Sequence, residues 1–496
     1  MARVHPQHAP RPPGADNWER RTQLPVAWIV LHCRANCLAL GWGCLPLLPL
    51  RVFFQPQKQS TRSTTLATIR PFCGIHYALR PDLELSRLIA PPYDVLDEAG
   101  KAALQARHPN NIVTIDLPHV PPKSVGPDEA YAKASTTLQA WLSAGVLVRD
   151  ARPAIYPYTQ SYQHNGKTFH RRGFICTVKL EPLGAGHIVP HEKTYPGAIE
   201  DRLKLMRATR VQLSPVFGLF NDDRGQVTKL LYSQLGRPML DGTLDGVRNQ
   251  LWSVTDAQIH NEVIRMMGTK HIYIADGHHR YTTALEYQRE LEQQHAGPLP
   301  PNHPANYCMF VLVNMNDDGL LILPTHRLIG GLDTFDIDAF KAQIEPHFDV
   351  TQATMTPPQL AESIAADAPH TFGLYDGRTR TCYRLRLKNP DILAGLEPQR
   401  SQAWRRLDVA ILQRYLLDEI FQPKFASGRE LVKGYTADAS QIAALVDGRM
   451  YQIALLLRPT PLHALEELAR HGELMPQKST FFYPKLATGL IINPLT

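Results

Sequence analysis

The chain has 496 residues, of which 44 % are hydrophobic and 20 % charged, and a formal charge of +7. That length exceeds one small domain, and the composition excludes collagen-like, low-complexity and wholly disordered classes. Residues 1–65 hold eight Lys/Arg against two acids, whereas the rest holds 45 basic against 44 acidic residues, so the body is nearly neutral and shows no basic stripe for nucleic acid.

Residues 1–65 differ in character from the body of the chain. A Pro-rich polar stretch, "HPQHAPRPPGAD", precedes "LPVAWIVLHCRANCLALGWGCLPLLPL", which is apolar but interrupted by His32, Arg34 and Asn36. A membrane span wants about 20 apolar residues with few charges, and Arg34 sits near the middle of this one. The Arg-rich, acid-poor composition also fits a transit peptide. We expect the fold to begin near "LATIRPFCGIHY", with Leu66 as the true start through a non-AUG codon and 1–65 a disordered extension. The seven cysteines are odd in number and form no CxxC, which points to reduced thiols and a cytoplasmic chain.

From residue 66 strand and helix signals alternate. "ATIRPFCGIHYAL" predicts a strand, and "APPYDVLDEAGKAALQARHP" a Pro-Pro turn and then a helix opened by Asp94 or Asp97. "NIVTIDLP" predicts a strand and "PDEAYAKASTTLQAWLSAGVL" a helix. Two strands flank Asn165-Gly166, a strong hairpin signal. "HIYIA" predicts a strand leading through Asp276-Gly277-His278-His279-Arg280 into a helix. "NYCMFVLVNMNDDGLLILPTHRLI" predicts a strand, a turn and a second strand. Helices "TFDIDAFKAQIEPHF" and "RRLDVAILQRYLLDEIFQ" then alternate with strands "HTFGLYD", "TCYRLRL" and "MYQIALLLRP". The expected fold class is mixed α/β (α+β), divided as 66–330, a phosphate-binding domain, and 331–496, a C-terminal region completing it.

The strand-to-helix loop 276–280 is the foremost candidate site. A helix start presents free N–H groups and the positive end of its dipole, which suits a phosphate. Gly277 permits close backbone approach. Arg280 offers a forked pair of donors, and His278 and His279 offer hydrogen bonds or proton relay. The plainer alternative is a turn in which Asp276 caps the helix and the histidines are exposed. A second cluster, His191-Glu192-Lys193-Thr194 followed by Asp201-Arg202, places Glu192 at a strand end, fit for a general base. Further anion-binding candidates are His326 and Arg327 in "PTHR", and Lys478, Ser479, Thr480 and Lys485 near the C-terminus. "KST" lacks the glycine spacing of a P-loop. Adjacent histidines make poor ligand spacing, so no protein-held metal is expected, and magnesium is expected to arrive on a nucleotide.

The segments "PFCGIHY", "APPYDV", "HEKT", "EDRLKLMRAT", "SPVFGLF", "IYIADGHHRYTTAL", "ILPTHRLI" and "MPQKSTFFYPKLATGL" together resemble a prokaryotic family, domain of unknown function ten-fifteen, from about Ala67 onward. The strand–"DGHHR"–helix element also resembles the signature of the ParB/sulfiredoxin superfamily, which implies a ParB/sulfiredoxin-like core embedded in a larger mixed-sheet body. Its free serine kinase members imply Glu192 as the base, and Gly277, His278, His279 and Arg280 as the phosphate grip. Sulfiredoxin's cysteine is absent from this turn, and ParB's DNA-binding helices are not visible.

The resulting expectation is a nucleotide-dependent phosphotransferase or phosphohydrolase acting on a small hydroxyl metabolite such as serine. It would use ATP or ADP with Mg, hold no tightly bound cofactor, and engage no nucleic acid or membrane. The alternatives are a nucleotide-binding regulatory module without turnover, and a metal-dependent hydrolase using His191, Glu192, Asp276 and His278.

Overall fold

Strand-forming segments fall into two blocks along the chain, and each block builds its own sheet. The computed structural model describes residues 67–496 apart from 79, 185, 334 and 448–450, so the expectations for residues 1–65 lie outside the described residues. The first block comprises β1 (Ile69–Arg70), β2 (Tyr156–His164), β3 (Lys167–Lys179), β4 (Ile188–Val189), β5 (Val216–Phe220), β6 (Leu240–Leu244), β7 (Val247–Leu251), β8 (Ile272–Asp276) and β9 (Tyr307–Asn314). They form one nine-stranded sheet in the order β4-β8-β5-β9-β3-β2-β7-β6, with β1 beside β3. The β4–β8 and β5–β9 pairs are parallel and the rest antiparallel. This is a mixed α/β fold.

The hairpin signal is explained by backbone chemistry. Asn165 and Gly166 both take positive φ, 47° and 72°, as a two-residue turn matching strand twist requires. β9, "YCMFVLVN", is buried at every position, so it reads as a continuous apolar run rather than an alternation.

The chain then leaves through β10 (Leu321–Leu323) and enters a second sheet of β11 (His326–Gly330), β12 (Phe348–Ala353), β13 (Thr371–Asp376), β14 (Thr381–Leu387), β15 (Val432–Thr436) and β16 (Ile453–Leu456). Its order is β12-β14-β13-β16-β11-β15. A short strand, β17 (Phe481–Tyr483), returns to pair antiparallel with β10. One buried cluster joins the sheets: Met309 and Val311 of β9, Phe482 of β17, and Ile329 and Leu374 of the second sheet all belong to it.

The helices that matter for the site are α1 (Glu98–Arg107), α2 (Val113–Asp116), α3 (Asp128–Ser143), α4 (Pro196–Thr209) and α5 (His278–Gln294). Asp97 caps α1 by accepting from the Gly100 N–H at 2.7 Å. α2 overturns the strand expected for "NIVTIDLP". The Asn111 side chain accepts from the Val113 N–H at 3.0 Å and donates to the carbonyls of Arg87 and Ile89, which starts a helical turn. Ile112, Val113, Ile115 and Leu117 are all fully buried, so the apolar run packs on every side instead of alternating.

Candidate functional site

Three distant segments converge where β8 ends. At the handover to α5, Gly277 takes φ +95°, and a Cβ there would meet the Arg280 guanidinium at 3.0 Å. No side chain caps α5, so its first-turn N–H groups are left for water or a ligand. Asp276 does not cap the helix. Its carboxylate accepts a 2.6 Å hydrogen bond from Lys485, and Arg280 stands 3.6 Å from its other oxygen. Burial alone would raise this carboxyl; the charges of Lys485 and Arg280 overcome that and hold it below the usual carboxylate range.

The second segment is the loop after β4. The His191 backbone N–H donates to Nε2 of His278 at 3.2 Å, and the Tyr195 N–H donates to Nε2 of His279 at 3.0 Å. His191 itself donates through Nδ1 to the Ile274 carbonyl at 2.7 Å, and its ring meets that of His278 edge-on at 4.6 Å. Burial pushes all three imidazoles below their ordinary values, which keeps His191 and His278 neutral. An Nε2 that accepts leaves the proton on Nδ1. The paired histidines therefore spend one nitrogen each on pinning the loop that carries Glu192.

The third segment is Met475–Lys485. The Met475 N–H donates to the His191 carbonyl at 2.8 Å. Arg327, almost fully buried, donates to the carbonyls of Lys478 at 3.0 Å, Gln477 at 3.1 Å and Thr325 at 2.7 Å. Arg171, equally buried, donates to the carbonyls of Tyr483 and Pro484 and to Gln160. Burial lowers both guanidinium groups to about 10, and both stay cationic at neutral pH.

Between these segments lies a cleft of about 190 Å³. Its walls include Glu192, Asp276 and His278 from the first two segments, Lys478, Thr480 and Lys485 from the third, and Asp94, Thr325 and Tyr435. Lys485 is engaged with Asp276 and Asp94 with Lys123 at 3.3 Å, while Lys478 has no carboxylate within ion-pair distance among the described residues.

The family model for proteins of unknown function DUF1015 matches residues 69–410. The chain belongs to the DUF1015 family. The matched part of this DUF1015 chain contains Glu192 and the 276–280 loop, and it ends before the Met475–Lys485 segment. No curated protein matches the chain. Among solved structures, a conserved hypothetical protein from Pyrococcus furiosus is 15% identical, with TM-score 0.28, over 61% of this chain and 92% of that one. A free serine kinase in complex with AMP is 12% identical, with TM-score 0.29, over 61% and 89%. SbnI from Staphylococcus aureus, truncated at its C-terminus, is 13% identical, with TM-score 0.32, over 65% and 87%. Overlap at that level carries no inference about the site.

Several candidate residues lie elsewhere in the DUF1015 chain. Arg280 donates to the Pro215 carbonyl and, with Arg202 and Asp116, lines a separate cavity of about 40 Å³. The Arg280 guanidinium packs against Gly277, 3.6 Å from Asp276, and does not line the cleft that holds Glu192. Asp201 is fully buried, accepting from Arg202 Nε and the Tyr131 hydroxyl at 2.8 Å each, with His119 Nε2 at 2.9 Å. His326 accepts from the Leu457 N–H at 3.1 Å, and the Ser479 hydroxyl donates to the Pro476 carbonyl. Asp201, Arg202, His326, Arg327 and Ser479 are buried and do not line the cleft. Asp94 and Tyr435 line it although sequence reasoning did not single them out for binding, and Thr325, the hydroxyl of the "PTHR" candidate, lines it too. Asp94 stands in the "APPYDV" motif, where its type also suits a helix cap, and Thr325 stands beside His326 and Arg327; Tyr435 carries no sequence signal.

Among the described residues no three His, Cys, Asp or Glu side chains cluster as metal ligands. No helix among them is long and apolar enough to cross a membrane.

Proposed function

We propose that the protein is a nucleotide-dependent phosphotransferase or phosphohydrolase acting on a small hydroxyl metabolite, with Glu192 as general base. One observation carries this: Glu192 shares a cleft with Lys478, Lys485 and the uncapped start of α5. A carboxylate sharing a cleft with cations suits proton removal from a hydroxyl beside a charged phosphate.

In this mechanism the α5 amides and Lys478 hold phosphate oxygens, and Lys485 fixes Asp276 at the rim. Glu192 takes the acceptor proton as the hydroxyl oxygen bonds to the terminal phosphorus. The bond to the bridging oxygen breaks, and the nucleoside diphosphate leaves. Charge on the transferred group is met by preset dipoles and ammonium groups, which is where most of the barrier reduction arises. Magnesium arrives with the nucleotide. His278 and His279 act as positioning residues, because their Nε2 atoms hold the Glu192 loop.

The test is Glu192→Gln with ATP and a panel of hydroxyl metabolites, serine included. Turnover is expected to fall at least about 100-fold while nucleotide affinity changes little. Wild-type protein showing no thermal shift with ATP, ADP or CTP would overturn the proposal. Binding without phosphorylated product or released phosphate would favour a regulatory module.

A further inference from the structure

Seven large apolar or aromatic side chains are exposed among the described residues; two of them, Val95 and Tyr435, line this one cleft, and a third, Tyr195, bonds to Gln477 beside its Lys478. Val95 is 51 % exposed, Tyr195 54 % and Tyr435 41 %. Isolated exposed apolar residues need no explanation, but a group of them around a polar cleft marks a place where something apolar is covered on binding.

Each tyrosine is held from one side. The Tyr195 ring stacks on His279, with centroids 6.1 Å apart and planes 16° apart, and its hydroxyl donates to Gln477. The Tyr435 ring lies over the buried Arg327 guanidinium at 5.0 Å, on the edge strand β15. The rings come from different parts of the fold: Tyr435 lines the cleft with Glu192 and Lys478, and the Tyr195 hydroxyl reaches Gln477, the residue before Lys478. Fixed backing on one side and exposure in the free state is what a stacking platform requires: the ring orientation is set before the ligand arrives.

We infer that Tyr435 and Tyr195 form a base platform, on which the planar ring of a nucleotide stacks while its phosphates reach Lys478 and the start of α5. This rests on the function proposed above and adds to it the part of the ligand that lies outside the phosphate grip. Stacking engages the π-face that every base has, so purine and pyrimidine nucleotides are expected to bind with similar strength.

Calorimetric titration of ADP, CDP and inorganic pyrophosphate into wild-type, Tyr435→Ala, Tyr435→Phe and Tyr195→Ala proteins tests it. Tyr435→Ala and Tyr195→Ala should each weaken ADP and CDP about tenfold, the size of one lost base stack, and change pyrophosphate less than twofold. Tyr435→Phe should bind as wild type does. ADP binding no tighter than pyrophosphate would overturn the platform and leave the phosphate site standing. Equal weakening of pyrophosphate by Tyr435→Ala would also overturn it, by showing a supporting role for the ring. No binding of any of the three would end both proposals.

Discussion

Lys485 donates a 2.6 Å hydrogen bond to Asp276 across 209 positions of sequence. The pair ties the C-terminal segment to the last residue of β8, at the rim of the cleft, with both side chains about three-quarters buried.

Removing the cation should therefore cost more than a surface ion pair does. Lys485→Met leaves a carboxylate with only the more distant Arg280, and we expect a loss of about 2–3 kcal/mol, below the full buried-pair value because both groups keep some water contact. Asp276 has a folded pKa below its unfolded one, so its contribution is complete above about pH 4 and drains away as the pH falls further. Urea unfolding of wild type and Asp276→Asn from pH 6 to pH 3 checks this. The variant should show a flatter acid limb, and parallel limbs would sink the assignment.

His278 gives a second, separate pH window. Burial, with His191 nearby, holds its imidazole well below its ordinary value, so it is neutral when folded and accepts the His191 N–H. A depressed histidine stabilises above its unfolded pKa of about 6.5 and loses that contribution as the pH drops below it. Melting temperature should thus begin to decline near pH 6.5, and His278→Gln should remove part of that decline. An equally steep decline in His278→Gln would count against this imidazole as the source.

How much of this site is legible in the sequence depends on distance along the chain. The "HEKT" and "DGHHR" loops stand out because each ends a strand and precedes a helix, a transition written in a few neighbouring residues. The direction of Arg280 is not legible because residue type conveys donor geometry and not direction: only the packed structure shows its guanidinium turned under Gly277 toward Pro215.

Arg327 supplies the third prediction. It holds three carbonyls, two of them in the Gln477–Lys478 turn, with no acid partner in hydrogen-bond range among the described residues. Arg327→Lys presents one point charge in place of a planar fork and should lose most of those bonds, destabilising by about 3 kcal/mol. Hydrogen exchange should show residues 476–481 opening ahead of the rest. Cooperative loss of the whole fold, with no local opening, would mean that the guanidinium serves the core and not the segment.

By itself, the sequence determined the mixed α/β class, the Asn165-Gly166 hairpin, and the strand–glycine–helix step at 276–278, since each comes from backbone preferences and apolar periodicity within a dozen residues. It also marked Glu192 and Lys478 by type. Which charged groups face the cleft, and which are buried as struts, was decided only by tertiary structure. A guanidinium or imidazole has the same chemistry in both roles, and what separates them is whether packing surrounds it with carbonyls and backbone N–H groups or leaves it open to water.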